Sequence, residues 1–335
     1  MESARWRRVL PCVVLLGSCG VVRAGDDRPV VYCSVDEGLA RDLLDRFEAK
    51  TGIKVDAVFD SEAGKTTGLV TRIRLEERSP RADVLFSGEL FHTMLLAREG
   101  LLEAYEPPSA ADIPKAYKDA EHRWTAIGLR ARVLAYDGQK VPAEELPIRW
   151  DQLADPEFAP RVAFANPLFG TTNGHVAAMF ALWGESKGRA FLTRLRDNGA
   201  KMVDGNSSAV RAIIAGKVEM CMTDSDDVLL GRRRAPQLEP RYLDMGDGGT
   251  LLIPSSVAII KGCRHLELAR RLADFLVSAE VERMLALSDA RNIPVRADLR
   301  RELNMELPPT TGLSYERIAD AMETAASAVR EILIR

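Results

Sequence analysis

Short β-branched and apolar runs alternate with amphipathic helical stretches along this chain, and that alternation constrains its fold more than any other feature. Pro29–Cys33 reads as a buried strand. A helix follows with Leu39, Leu43, Leu44 and Phe47 on one face, closed by Gly52 in the C-terminal capping position. Ser34 and Glu37 have capping-box spacing at its start. Ile53–Phe59 and Ala82–Ser87 are further strands, and Thr67–Glu77 and Phe91–Arg98 further helices. Strands separated by helices imply a mostly parallel sheet covered on both faces. Trp124–Tyr136 is a long extended segment, after which the pattern restarts. Val162–Phe164 and Val218–Met222 are strands, Ala177–Trp183 is a helix, and Leu251–Ile253 is a return crossing after the flexible Gly246–Gly249. The expected class is α/β, with two lobes, crossing strands near Arg132 and Leu252, and a cleft between the lobes. The expected division is 1–24 as a leader, 28–125 with 250–290 as one lobe, and 126–249 with 291–335 as the other.

Arg5, Arg7 and Arg8 precede an apolar run from Val9 to Val22 that ends in Val22-Arg23-Ala24. This is the order of a secretory signal, and the run is short for a membrane span of about 20 residues. Leu15-Leu16-Gly17-Ser18-Cys19 also has a lipobox pattern, so a lipid anchor through Cys19 competes with cleavage after Ala24. Cleavage after Ala24 is favoured, because Val21-Val22 make a poor tether. Either outcome exports the protein. The full chain of 335 residues has 46 Lys+Arg against 49 Asp+Glu, a net charge of −3. Without residues 1–24, which hold four arginines and one glutamate, the counts become 42 and 48, a net −6. With no basic excess, nucleic acid is not an expected partner. The three cysteines left, Cys33, Cys221 and Cys263, do not describe a disulfide framework.

Asp36, Glu37, Glu89, Asp224, Asp226 and Asp227 all follow predicted strands, where an open α/β sheet presents its ligand crevice. Carboxylates converging there repel one another unless a cation compensates. Oxygen-only ligation suits hard ions such as iron(III), manganese(II), magnesium or calcium. His92, His122, His175 and His265 follow no ligand spacing, which disfavours zinc and copper. The plainer alternative is that Asp224–Asp227 only cap the helix that follows. Gly170-Thr171-Thr172-Asn173-Gly174 precedes a helix, and its amides together with Arg130 or Arg132 suit an anion. Trp124, Trp150 and Trp183 are expected in cores or lobe seams. Ala63-Gly64-Lys65-Thr66-Thr67 lacks the first glycine of a P-loop, with Phe59 in its place, which leaves Lys65, Thr66 and Thr67 only as candidate cleft contacts, and no serine has a G-x-S-x-G setting.

Tyr32-Cys33-Ser34-Val35-Asp36-Glu37, Thr51-Gly52-Ile53-Lys54-Val55, Ala82–Ser87, Arg130–Val133 leading to Tyr136-Asp137, and Gly205-Asn206-Ser207 together resemble the periplasmic iron(III)-binding proteins. These are solute receptors of ABC importers with the type II periplasmic-binding fold, and the resemblance runs over nearly the whole chain after residue 24. It implies a monomer that works with an ABC permease and its ATPase. It also implies an iron(III) site with a synergistic anion. By that resemblance Asp36 takes the place of the family's histidine, and Glu89 stands nearest its carboxylate. Asp226 and Asp227 stand where the family has its metal-binding tyrosine pair. Phe169-Gly170-Thr171-Thr172 matches the anion-holding turn, with Asn206 and Ser207 as its second wall. The metal set expected is therefore Asp36, Glu37, Glu89, Asp226 and Asp227. The anion set is Gly170, Thr171, Thr172, Asn206, Ser207 and Arg130. The rival ligands are an organic anion or phosphorylated solute, and a rival class is a secreted metal-dependent hydrolase built on the same carboxylates.

Overall fold

The computed structural model describes residues 27–60, 64 and 66–334. The leader, Cys19 and Lys65 lie outside the described residues. Three short strands, β1 (Val30–Cys33), β2 (Asp56–Phe59) and β3 (Val84–Ser87), are parallel with β1 in the middle. Helices α1 (Glu37–Thr51), α2 (Thr67–Leu75) and α3 (Phe91–Arg98) follow them in turn, and β4 (Leu102–Glu103) comes after α3. The chain then runs as one 13-residue strand, β5 (Thr125–Asp137). A second unit follows: β6 (Val162–Ala165), α4 (Gly170–Trp183), α5 (Glu185–Asp197), β7 (Lys201–Val203), α6 (Asn206–Ile214), β8 (Met220–Asp224), α7 (Ser225–Arg232) and β9 (Leu238–Arg241). Strand β10 (Leu252–Ile260) returns, and α8 (Leu266–Leu276), α9 (Ala279–Leu287), α10 (Ala297–Glu302) and α11 (Tyr315–Leu333) complete the chain.

The strand order is β2-β1-β3-β10-β5-β8-β6-β7, with β4 on β10 and β9 on β5. Strand β5 is the bridge between the two halves. Thr125–Ala131 pairs antiparallel with β10, and Arg132–Tyr136 pairs antiparallel with β8. Twelve of its thirteen side chains are buried, which a strand of Leu, Ile, Val and Ala tolerates when covered on both faces. The β5–β10 register slips between Pro254 and Ser255, opposite the positive-φ Gly128. A proline that cannot donate to the ladder, placed at a bulge, bends the strands where they pass between the halves. The two α/β halves joined by crossing strands, expected from the alternation, are thus present.

Several boundaries differ from the sequence reading. Helix α1 is capped by Asp36, whose carboxylate accepts from the amides of Gly38 and Leu39, so the Ser34–Glu37 capping box does not form. Helix α4 starts seven residues earlier than Ala177, and β8 lies two residues later than Val218–Met222. Residues 291–303, expected with the second lobe, pack on the first: Ile293 bridges Leu129, and Arg296 reaches Glu282, Asp112 and the carbonyls of Ser109 and Val277. Trp124 and Trp150 are buried as expected and Trp183 is partly so, while Cys33, Cys221 and Cys263 form no disulfide. No described helix is long and apolar enough to cross a membrane.

Phe91, at the start of α3, packs into the core of the β6–β8 half with Leu134, Trp150 and Val176, and its ring meets Tyr315 of α11 edge-on at 6.1 Å. A Cβ on Gly174 of α4 would lie 2.2 Å from that ring, so the glycine is what lets Phe91 seat there. Replacing Gly174 by Ala is therefore expected to lower the unfolding free energy by about 1–3 kcal/mol through overpacking. Adding Phe91→Leu should recover part of the loss. Urea unfolding checks this, and an unchanged midpoint for Gly174→Ala would contradict it.

Candidate functional site

A cleft of about 740 Å³, partly open to solvent, lies between the halves. Its walls are the C-terminal ends of parallel strands: Ser34 and Asp36 after β1, Gly88 and Glu89 after β3, Asn166 after β6, Asp204 after β7, and Asp224 at the end of β8 with Asp226 and Asp227 beyond it. Helices α4, α6 and α7 begin at this cleft. Strand ends and helix starts meet because each strand–helix turn of such a sheet opens on the same edge.

The floor is a buried polar network. Arg132 of β5 has no exposed surface, and it faces Asp224 directly across the β5–β8 ladder. Its Nη1 donates to Asp224 Oδ1 at 2.7 Å and to Thr171 Oγ1 at 3.2 Å, its Nη2 to Thr172 Oγ1 at 3.4 Å, and its Nε to His175 Nδ1 at 3.2 Å. Asp224 Oδ2 accepts from Thr171 Oγ1 at 2.6 Å and from Asn206 Nδ2 at 2.9 Å. Because an arginine N–H can only donate, His175 Nδ1 must accept, which fixes the Nε2–H tautomer. Burial, with the Arg132 charge added, holds the His175 pKa well below 6.5, so the ring is neutral.

Above the floor the charge is less fully matched. Carboxylate oxygens of Asp224, Asp226 and Asp227 lie within 4.8 Å of one another. Arg130 Nη1 donates to Asp226 Oδ2 at 3.0 Å, and Nη2 to Ser255 Oγ at 3.3 Å. Burial pulls the Arg130 pKa down, but Asp226, Asp224 and Asp227 outweigh it and hold the guanidinium above its ordinary value. Asp227 accepts from Thr223 Oγ1 at 3.0 Å and Ser207 Oγ at 3.5 Å, and Asp226 Oδ1 accepts from the Asp227 amide at 3.0 Å. Asp224 occupies the N-cap position of α7 without a side-chain capping bond, so simple capping does not account for its carboxylate.

The residues expected from sequence separate into two groups. Asp36, Asp226, Asp227, Arg130, Gly170, Thr171, Thr172, Asn206 and Ser207 all line the cleft. Glu37 does not line it. Glu37 is exposed on α1, where its Oε1 accepts from Arg41 Nε at 2.8 Å and Nη2 at 2.6 Å. Glu89 borders the cleft but is fully buried, and its oxygens accept from the Phe91 amide at 2.7 Å, the His92 amide at 3.3 Å and His92 Nδ1 at 3.1 Å. That carboxylate serves the start of α3 and the His92 ring. Thr171 and Thr172 turn their hydroxyls to the floor rather than to open space. Thr66, open from the sequence as a cleft contact, lines the cleft, and so do Ser34, Asn166 and Asp204, which the sequence reading does not name as ligands. Thr66 has φ 68°, a left-handed backbone that a β-branched residue adopts only at a cost of about 1–3 kcal/mol. It is held there by a 3.0 Å bond from its hydroxyl to Ser34 Oγ, which also accepts from the Gly88 amide at 2.9 Å. No sequence pattern marks a strained threonine.

The floor predicts its own energetics. Asp224→Ala leaves Arg132 buried without its counter-charge and should cost about 3–5 kcal/mol in denaturant unfolding. As pH falls below about 6.5 the unfolded chain protonates His175 and the folded chain does not, so stability declines toward acid, by up to about 1.4 kcal/mol per pH unit. His175→Asn, which keeps an acceptor for Arg132, should flatten that decline. Identical pH slopes for wild type and variant would contradict the tautomer and charge assigned here.

The family profile described as "Bacterial extracellular solute-binding protein" matches residues 79–315. The chain is 26% identical over 310 residues to the major ferric iron-binding protein of Neisseria meningitidis, covering 90% of this chain and 88% of that protein. Its fold superposes on iron-bound HitA from Pseudomonas aeruginosa with TM-score 0.80 and 25% identity, over 91% of this chain and 99% of that one. It also superposes on the periplasmic binding protein AfuA from Actinobacillus pleuropneumoniae, solved with fructose-6-phosphate, with TM-score 0.78 and 21% identity over 92% and 98%. With the family's profile spanning most of the chain, a two-lobed fold and a polar interlobe cleft, the protein belongs to the bacterial extracellular solute-binding proteins.

Proposed function

We propose that this protein is the exported, monomeric receptor of an ABC importer, and that it delivers iron(III) to a permease driven by its ATPase. The observation that carries the reading is the approach of the Asp224, Asp226 and Asp227 oxygens to within 4.8 Å in the cleft. Donors that are all oxygen suit a hard, highly charged ion, and no thiolate lines the same wall. Asp224 is committed to Arg132, so Asp226 and Asp227 are the primary ligands, with Asp36 on the facing wall closing over the ion. The first-turn amides of α4 at Gly170, with Asn206 and Ser207, hold the synergistic anion, while Arg130 is taken up by Asp226 and Ser255. Closure of the lobes about β5 and β10 presents the loaded form to the permease. The iron-binding relatives described above support this reading.

A phosphorylated organic solute is the second reading, and one observation favours it. Arg130 and Arg132 offset Asp226 and Asp224, and the starts of α4 and α6 open on the cleft with amides that suit an anionic group without a metal. The two readings diverge in the double variant Asp226→Ala/Asp227→Ala. Under the iron(III) reading its affinity for iron(III) falls by more than about a hundredfold, since even second-sphere partners of a metal are worth about 10–100-fold. Under the second, affinity for a sugar phosphate is unchanged or rises. Calorimetric titration of both ligands checks this, and steady hydrolysis of a phosphate ester by the wild type would replace the receptor with a metal-dependent hydrolase.

A further inference from the structure

Arg130 sits where β5 leaves β10 and joins β8, between Leu129, paired with β10, and Arg132, paired with β8. Its ion pair with Asp226 is sheltered, the two side chains being 11% and 14% exposed. Nη2 is held by Ser255, and Nε is buried without a hydrogen-bond partner. Arg132 is saturated by Asp224, the two threonines and His175, so it cannot serve Asp226 or Asp227. Any cation that reaches the aspartate cluster therefore meets a guanidinium already seated on one of its carboxylates. The two positive charges cannot share Asp226 Oδ2 at these distances without strong repulsion.

We propose that Arg130 is a built-in competitor of the captured cation. It neutralises Asp226 while the cleft is empty, and yields that carboxylate when an ion coordinates it. In doing so it lowers the affinity of every cation by the same amount and so sets a threshold that a weakly attracted ion does not clear. The work of displacing Arg130 is the same for every incoming ion, whereas the attraction of the aspartates grows with the ion's charge. A trivalent ion clears the threshold with affinity to spare, and a divalent ion is left with weak binding. The inference rests on the cation reading above and adds to it the residue that sets the affinity threshold.

The test is calorimetric titration of wild type, Arg130→Gln, Arg130→Lys and Ser255→Ala with manganese(II) chloride and with iron(III) supplied as its citrate complex, each variant being checked for folding by thermal melting. Removing the competitor should tighten binding of both ions by a similar factor, on the order of tenfold or more for a sheltered pair. Arg130→Lys keeps the charge and should stay near wild type. Ser255→Ala frees Nη2 without touching a carboxylate and should give a smaller gain in the same direction, so the inference stays open to refutation even if Arg130→Gln does not fold. Unchanged or weaker binding of both ions in a folded Arg130→Gln, or weaker binding in Ser255→Ala, overturns the inference and leaves cation capture standing. Binding of neither ion by wild type or variants removes both. Binding by Arg130→Gln where wild type shows none supports the inference most strongly.

Discussion

The buried ion pair between Arg132 and Asp224 is the constraint on which the cleft depends. Charges taken out of water are costly unless every donor and acceptor is matched, and here the match is nearly complete. Asp224 accepts from Arg132 Nη1, the Thr171 hydroxyl and the Asn206 amide, and the three arginine nitrogens also reach Thr171, Thr172 and a neutral His175 ring. That network joins the crossing strand β5, the end of β8 and the starts of α4 and α6. It fixes the cleft floor in one arrangement and removes Asp224 from any direct part in holding solute.

What the floor leaves over is the charge that faces the open cleft. Asp226 and Asp227 stand one turn above it at the start of α7, with Asp36 on the opposite wall. Arg130 faces them from the same strand as Arg132, two residues away and therefore on the same face of β5. One strand thus supplies both guanidinia: the deeper one is locked by a full set of partners, and the other keeps a buried Nε without one. The polar walls also carry strain, since Thr66 is held at positive φ beside Ser34.

Much of the fold was legible in the sequence because its signals are local. The β1–α1 unit and the eight-residue α3 follow from apolar spacing, with Gly52 closing α1. The errors came from tertiary effects. Gly170-Thr171-Thr172-Asn173 has poor helix propensity, yet it forms the first turn of α4 because its side chains satisfy the buried network. The two-residue shift of β8 matters more, since it places Asp224 inside the strand and opposite Arg132. That pairing joins residues 92 apart in sequence, which no local pattern reports. Glu37 and Glu89 sit where strand-end logic puts a ligand, but a neighbouring arginine captures one and the first amides of α3 the other. His175, set aside for lack of metal-ligand spacing, proves to be an acceptor for Arg132.

The central claim is that a hard cation is held by Asp226 and Asp227 above a floor closed by Arg132 and Asp224. Anomalous diffraction at the iron edge, from crystals grown with iron(III) and phosphate, tests it most directly. The account predicts one strong peak within coordination distance of carboxylate oxygens of both Asp226 and Asp227, with Arg130 no longer on Asp226 and Arg132 still on Asp224. A cleft with no peak, or a peak coordinated by Glu89 or Asp224 while Arg130 keeps its bond to Asp226, would contradict it.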